Sequence, residues 1–222
     1  MDWSINIQSR CKLRRVASEQ LCLHWLHELE YEHYTSINHA NRREAFLFGR
    51  VVAKRLIVED ESLASREINK ATQIYISSRD GMGRAVRPTV MIDGRLQPIE
   101  LSISHSDQSV MAIARRGNQV RLGADIQTIS SNPNSQLRLW LTEKERANIG
   151  HNDSNAVKTW ALKEAVYKAI NNGERFQPHQ IEVLNEDGRY QCRVRGQELL
   201  DTTLSVRQHE DEFVAVAVVK KR

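Results

Sequence analysis

Cysteine is scarce in this chain. The three residues Cys11, Cys22 and Cys192 are odd in number, widely scattered and without paired metal-ligand spacing. That pattern excludes a disulfide scaffold and a cysteine metal centre, and it fits free thiols in a reducing compartment. Long apolar runs are missing as well. Polar and charged residues interrupt every hydrophobic stretch, so no segment reads as a leader or a membrane span, and the expected protein is cytoplasmic with no membrane partner. Aromatic residues make up only 6% and do not interleave with basic ones, so the stacking surface used to grip single-stranded nucleic acid is lacking. There is no glycine-rich nucleotide loop, no Gly-x-Ser-x-Gly elbow and no His-Glu-x-x-His helix.

What is present suits a globular protein. The 222 residues are 40% hydrophobic and 27% charged, enough to bury a core in one large domain or two small ones. Lys and Arg total 32 against 28 for Asp and Glu, a net charge of +4. So mild an excess fits a phosphate-bearing ligand or an acidic protein partner, and falls short of demonstrating nucleic-acid binding.

Periodicity predicts a short strand around Ile5 and Ile7, a helix over 18–34 and a stronger helix over 41–59, where Ala45, Phe48, Val52 and Leu56 define an apolar face. Arg43, Arg50 and Lys54 fall on another face of that helix, either as a solvated basic stripe or as a row of cations for phosphates. A strand at 72–76 is followed by turns at Asp80-Gly81-Met82-Gly83 and Arg87-Pro88, and Asp93-Gly94 signals a hairpin. Strands are expected at 100–107, 110–114 and 120–127, then a turn at 130–133 and a helix over 136–149 with Leu137, Trp140 and Leu141 as its apolar contacts. The next helix, capped by Ser154, stops at Asn171-Asn172-Gly173. Four more strands, at 181–184, 190–194, 204–208 and 213–219, complete the chain. The run from Val214 echoes the run from Val110, both being small-residue apolar strands closed by a basic pair. The order of elements therefore points to two similar halves joined near 117–120.

Candidate chemistry collects on two elements. Alternation along 120–127 puts Asp125 and Gln127 on the same face of a strand. Trp160, Glu164 and Lys168 follow at four-residue steps along one helix face, a spacing that also describes an ordinary exposed Glu–Lys pair. Asp125 and Glu164 could share a hard cation such as magnesium, with Gln127 or a water as a neutral third oxygen.

Three ordered motifs carry a resemblance: Ser102-Ile103-Ser104-His105-Ser106, then Gly123-Ala124-Asp125-Ile126-Gln127, then Trp160-Ala161-Leu162-Lys163-Glu164-Ala165-Val166-Tyr167-Lys168. Together they resemble the Sfp-like 4'-phosphopantetheinyl transferases. Looser matches lie at 43–54 and at Leu141-Thr142-Glu143-Lys144-Glu145. The resemblance implies an α+β fold of two similar halves, 1–118 and 119–222, related by pseudo-two-fold symmetry with a ligand cleft between them. It implies an enzyme, acting as a monomer, that moves the 4'-phosphopantetheine arm of coenzyme A onto a serine of an apo acyl or peptidyl carrier protein and releases 3',5'-ADP. By the same comparison, Asp125, Gln127 and Glu164 hold Mg2+, and Glu164 and Lys168 are catalytic. Arg50, Lys54, Arg87, Ser104, His105 and Lys168 meet the coenzyme A phosphates, with Arg84 as an alternative to Arg87. The second motif departs from the family's usual pattern by ending in Gln127 where an acid is common. The competing expectation is a non-catalytic basic protein that binds nucleic acid or coenzyme A through Arg43, Arg50 and Lys54.

Overall fold

Strand and helix follow the hydrophobic pattern twice along the chain, in the same order each time. The computed structural model describes residues 3–63, 68, 70–129 and 135–221, and its contacts divide into two units, Met1–Asn118 and Gln119–Arg222. Among the described residues, no helix is long and apolar enough to cross a membrane. The expected turn at 130–133 lies outside the described residues.

The first unit runs β1 (Ser4–Ser9), α1 (Arg10–Leu13), α2 (Ser18–Trp25), α3 (Glu28–Ser36), α4 (Ala40–Glu59), β2 (Ile74–Arg79), β3 (Ala85–Ile92), β4 (Arg95–Leu96), β5 (Ile99–His105) and β6 (Ser109–Arg116). Antiparallel sheets form in the orders β1-β6-β5 and β2-β3-β4. The helix expected over 18–34 is broken at Leu26 and His27, whose backbones are extended. The break buries Leu26 and lets the His27 ring cap α3, while Glu30 reaches back to the His27 N–H at 3.0 Å; this reciprocal cap satisfies two amides that would otherwise lack partners. Arg87-Pro88 is no turn but part of β3. Proline is tolerated there because the register with β2 slips between Ser77 and Arg79, next to its position, where no ladder N–H is required. Asp93 and Gly94 do turn the chain, both with positive φ.

The largest correction concerns α4. Its buried residues run from Leu47 to Ile57, broken only at Arg55, and include Arg50 and Lys54, so the expected basic stripe is not solvated. Lys54 is fully buried and donates to Glu30 Oε2 at 2.5 Å and to the Trp25 carbonyl at 2.6 Å. Glu30 Oε1 in turn accepts from the Ile76 N–H at 3.0 Å and lies 3.2 Å from Arg50 Nε. Burial lowers the Lys54 pKa to about 8 against the pull of Glu30.

A more exposed cluster ties α4 to the start of the unit, where Glu44 accepts from both Arg10 and Arg14. Their hydrogen bonds, Arg14's first, hold the Glu44 carboxyl down at about 2 from an ordinary 4.5. Folding then favours the ionised form, and the stability it contributes is present above about pH 4.5 and lost as pH falls towards 2. Glu44→Gln should flatten that part of the acid unfolding curve, measured by circular dichroism, with a modest loss of stability at pH 7, where the contribution is fully present and is screened by solvent.

The second unit runs β7 (Val120–Thr128), α5 (Ser135–Leu139), α6 (Glu143–Ile149), α7 (Asp153–Ile170), β8 (Ile181–Glu186), β9 (Arg189–Val194), β10 (Gln197–Glu198), β11 (Thr202–His209) and β12 (Glu212–Lys220). Its sheets are β7-β12-β11 and β8-β9-β10. The helix expected over 136–149 is two helices. Leu141 is fully buried between them, whereas Trp140 is 47% exposed and so contributes less to the core than its apolar surface implies. The cap of α7 is Asn152, which accepts from the Asn155 N–H at 3.1 Å, rather than Ser154. Helix α7 lies so close to β7 that a Cβ at Gly123 would fall 1.9 Å from the Ala165 carbonyl oxygen and 2.5 Å from the Ala169 nitrogen. Gly123→Ala is therefore expected to cost about 1–3 kcal/mol or more in thermal unfolding. Gly49→Ala, where the nearest atom is a movable Ile103 methyl at 3.1 Å, should fall within about 1 kcal/mol of neutral because helix propensity favours alanine.

Each unit is therefore a helix on an antiparallel three-stranded sheet plus a small meander. The two strands that echo each other in sequence, β6 and β12, are the central strands of the matching sheets. The repetition extends to single side chains. In the second unit Lys163 is fully buried and donates to Glu145 Oε2 at 2.5 Å and to the Trp140 carbonyl at 3.2 Å. Glu145 Oε1 accepts from the Val183 N–H at 2.8 Å, and Glu145 also closes a reciprocal cap with Thr142. Every partner in this set has its equivalent around Lys54 and Glu30. Each core also holds one cysteine, Cys22 in the first and Cys192 in the second. Burial pushes both thiols up, Cys192 to about 12, while Cys11 is exposed.

Candidate active site

Strand β7 and helix α7 bring four of the expected residues together inside the second unit. Asp125 pairs across the ladder with Ala215 and is 1% exposed. Its Oδ1 accepts from Lys168 Nζ at 2.6 Å, and its Oδ2 accepts from Gln127 Nε2 at 2.7 Å. The same amide nitrogen donates to Glu164 Oε2 at 3.2 Å. The four-residue step from Glu164 to Lys168 thus faces the strand carboxylate with one acid and one cation. One step earlier, Trp160 packs on Phe176 at a centroid distance of 5.6 Å, and Phe176 packs on Tyr167 at 4.7 Å, fixing the outer surface of the helix.

Two carboxylates held this close carry an electrostatic penalty. Burial first, and the charge of Asp125 second, push the Glu164 carboxyl up to about 8, with Lys168 pulling the other way. A cation bound to both oxygens would relieve that penalty. Among the described residues no group of three His, Cys, Asp or Glu side chains forms a metal cluster. The donor set is two acids and an amide. Oxygen donors of this kind fit a hard divalent ion that keeps part of its water shell, so the residues present are compatible with magnesium at Asp125, Glu164 and Gln127.

The expected first-unit residues are spread more widely. Ser104 is buried near the end of β5, and His105 beside it is exposed. Arg87 lies 3.4 Å from Glu100, and the alternative Arg84 is an exposed partner of Asp80 at 2.7 Å. Arg50 is buried with its guanidinium 4.5 Å from the Phe46 ring centroid and donates to Ser78 Oγ at 2.9 Å. Lys54 is the clearest departure, since its ammonium is enclosed by Glu30 and a carbonyl and is not presented to a ligand. Glu30, Glu145 and Lys163 had no expected role. A signal for them is in the sequence: Trp-Leu-x-Glu-x-Glu occurs at 25–30 and again at 140–145, each time ending in the buried glutamate.

With this geometry in place, comparison with known proteins finds one matching family model. Residues 121–218 match the model of the 4'-phosphopantetheinyl transferase superfamily. No curated protein matches the chain. Among solved structures, a holo-(acyl-carrier-protein) synthase from Bacillus anthracis str. Ames in complex with CoA (3',5'-ADP) is similar at 20% identity and a TM-score of 0.41, over 50% of this chain and 91% of that one. An acyl carrier protein synthase from Mycobacterium tuberculosis is similar at 26% identity and a TM-score of 0.38, over 47% of this chain and 100% of that one. The matched segment contains all of β7 but its first residue, all of α7, and therefore Asp125, Gln127, Glu164 and Lys168. The superfamily whose model matches residues 121–218 is thus the one towards which the resemblance of the motifs points.

Proposed function

We propose that this protein transfers the 4'-phosphopantetheine arm of coenzyme A to a serine of an apo acyl or peptidyl carrier protein, releasing 3',5'-ADP. The observation that carries the reading is the convergence of Asp125, Gln127, Glu164 and Lys168 within the segment that matches the superfamily. The serine oxygen attacks the phosphorus attached to the pantetheine arm, its proton passes to the Glu164 carboxylate, and the diphosphate bridge breaks to leave 3',5'-ADP. Lys168 offsets the charge that develops on the phosphate under attack. Holding the two reactants in line and neutralising that charge is most of what such a transfer requires. Magnesium, when bound at Asp125 and Glu164, would neutralise the diphosphate. Gln127 is uncharged, but its amide can turn either end to its neighbours, so Oε1 can replace Nε2 towards a cation. Arg50, Arg87, Ser104 and His105 are the first unit's proposed contacts with the coenzyme A phosphates.

The test is the intact mass of a panel of apo carrier proteins after incubation with this protein, coenzyme A and magnesium, beside a chelator control. A magnesium-dependent gain of one phosphopantetheine is the expected result. No gain on any carrier from folded protein would favour the basic binding protein, although that reading is weakened by the enclosure of Lys54, one of its three phosphate contacts.

A further inference from the structure

The repetition of the fold allows the acidic cluster to be traced into the first unit. Counting along each helix from the buried lysine, Lys54 in α4 and Lys163 in α7, Arg55 corresponds to Glu164 and Glu59 to Lys168. On the strands, Asn6-x-Gln8 in β1 corresponds to Asp125-x-Gln127 in β7. Asn6 pairs with Ala112 on the central strand of its sheet, as Asp125 pairs with Ala215 on its own. The side chains repeat the connectivity. Gln8 Nε2 donates to Asn6 Oδ1 at 3.4 Å, as Gln127 Nε2 donates to Asp125 Oδ2 at 2.7 Å. Gln8 also meets the helix residue, accepting on Oε1 from Arg55 Nη1 at 2.7 Å, where Gln127 meets Glu164. The chemistry is inverted, because an acid, an acid and a lysine in the second unit are replaced by an amide, a guanidinium and an acid in the first. The Arg55 guanidinium is further held 5.1 Å from the centroid of the Trp25 ring, an attractive placement for a cation.

We propose that Arg55 is a built-in cation that closes the first half to divalent metals, so that a fold built twice keeps a single metal site, and that Asn6 and Arg55 mark a latent second one. The inference rests on the assignment of the second-unit cluster as a cation site. Gln8 supports it from within the chain: facing a permanent positive charge, it presents its amide oxygen, the orientation a glutamine ligand needs.

Titration with Mn2+, followed by the paramagnetic signal of the free ion, tests the proposal. Asn6→Asp/Arg55→Glu should bind one more equivalent than its parent, both in the otherwise wild-type chain and in an Asp125→Ala background. The Asp125→Ala background separates the two ideas. Loss of the wild-type equivalent there reports on the second-unit site, while the gain reports on the latent one. A folded Asn6→Asp/Arg55→Glu protein with no added equivalent in either background overturns the proposal. Asn6→Asp alone covers the case in which the double variant does not fold. With Arg55 present it should add no metal and should raise the melting temperature, since the new carboxylate gains a guanidinium. A lowered melting temperature would show that the guanidinium does not serve that position, and would also overturn the proposal.

Discussion

Asp125→Ala and Glu164→Ala should each lower carrier loading by at least about a hundredfold in kcat/KM, while the purified proteins still melt cooperatively. The size follows from what is removed: each carboxylate would help hold charge against the diphosphate, and loss of one such preorganised group commonly costs 100- to 1,000-fold. Stability should move the other way or not at all. Glu164 is held where burial and Asp125 disfavour its ionised form, so Glu164→Gln relieves repulsion and should melt no lower than wild type in chelator. Site residues that weaken the fold they belong to are common where chemistry dictates the arrangement. Loading rates from intact mass, read beside melting curves, decide the matter. Activity of both variants within tenfold of wild type would remove this cluster from the reaction.

The opposite profile is expected for the residue beside Glu164. Lys163→Met, or Glu145→Gln, leaves a buried charge without its partner, which costs about 3–5 kcal/mol. For a chain of this length that corresponds to a fall in melting temperature of roughly 6–20 °C. The first unit supplies the internal control. It keeps the same buried pair as Glu30 and Lys54 while lacking the acidic cluster, so the pair is assigned to the fold and, under the proposed function, the cluster to the chemistry. Lys54→Met should therefore destabilise about as much as Lys163→Met. The fraction of either variant that remains folded should load carriers within severalfold of wild type. Lys163→Met combined with Glu145→Leu should recover only part of the loss, because an apolar pair needs no desolvation but leaves the Val183 and Thr142 amides without their acceptor. A Lys163→Met protein that melts like wild type yet is inactive would instead place Lys163 in the reaction.

These two profiles explain which parts of the molecule could be read in advance. Asp125, Gln127, Glu164 and Lys168 were legible because strand alternation and the helical four-step each send side chains to one face, and a single strand and helix bring those faces together. Helix α4 departs from its sequence pattern for a related reason. Spacing shows that Arg50 and Lys54 share a face, but it cannot show that Glu30, on α3, meets them there and removes them from solvent. The breaks at Leu26-His27 and at Trp140-Leu141-Thr142 escaped the periodicity because apolar residues continue through both. What ends each helix there is a reciprocal cap set by a glutamate three residues on. Repetition is legible in the strands that echo each other, and more firmly in the two Trp-Leu-x-Glu-x-Glu segments.

The duplicated architecture places one buried thiol in each half, Cys22 and Cys192, and leaves Cys11 outside. Alkylation requires access and a thiolate, both denied while a core is closed. Once Cys11 has been blocked, the labelling rates at positions 22 and 192 become separate clocks for the opening of the two halves. Followed by peptide mass, they would reveal whether the halves breathe together or one at a time, with no residue substituted and no tag fused to the chain.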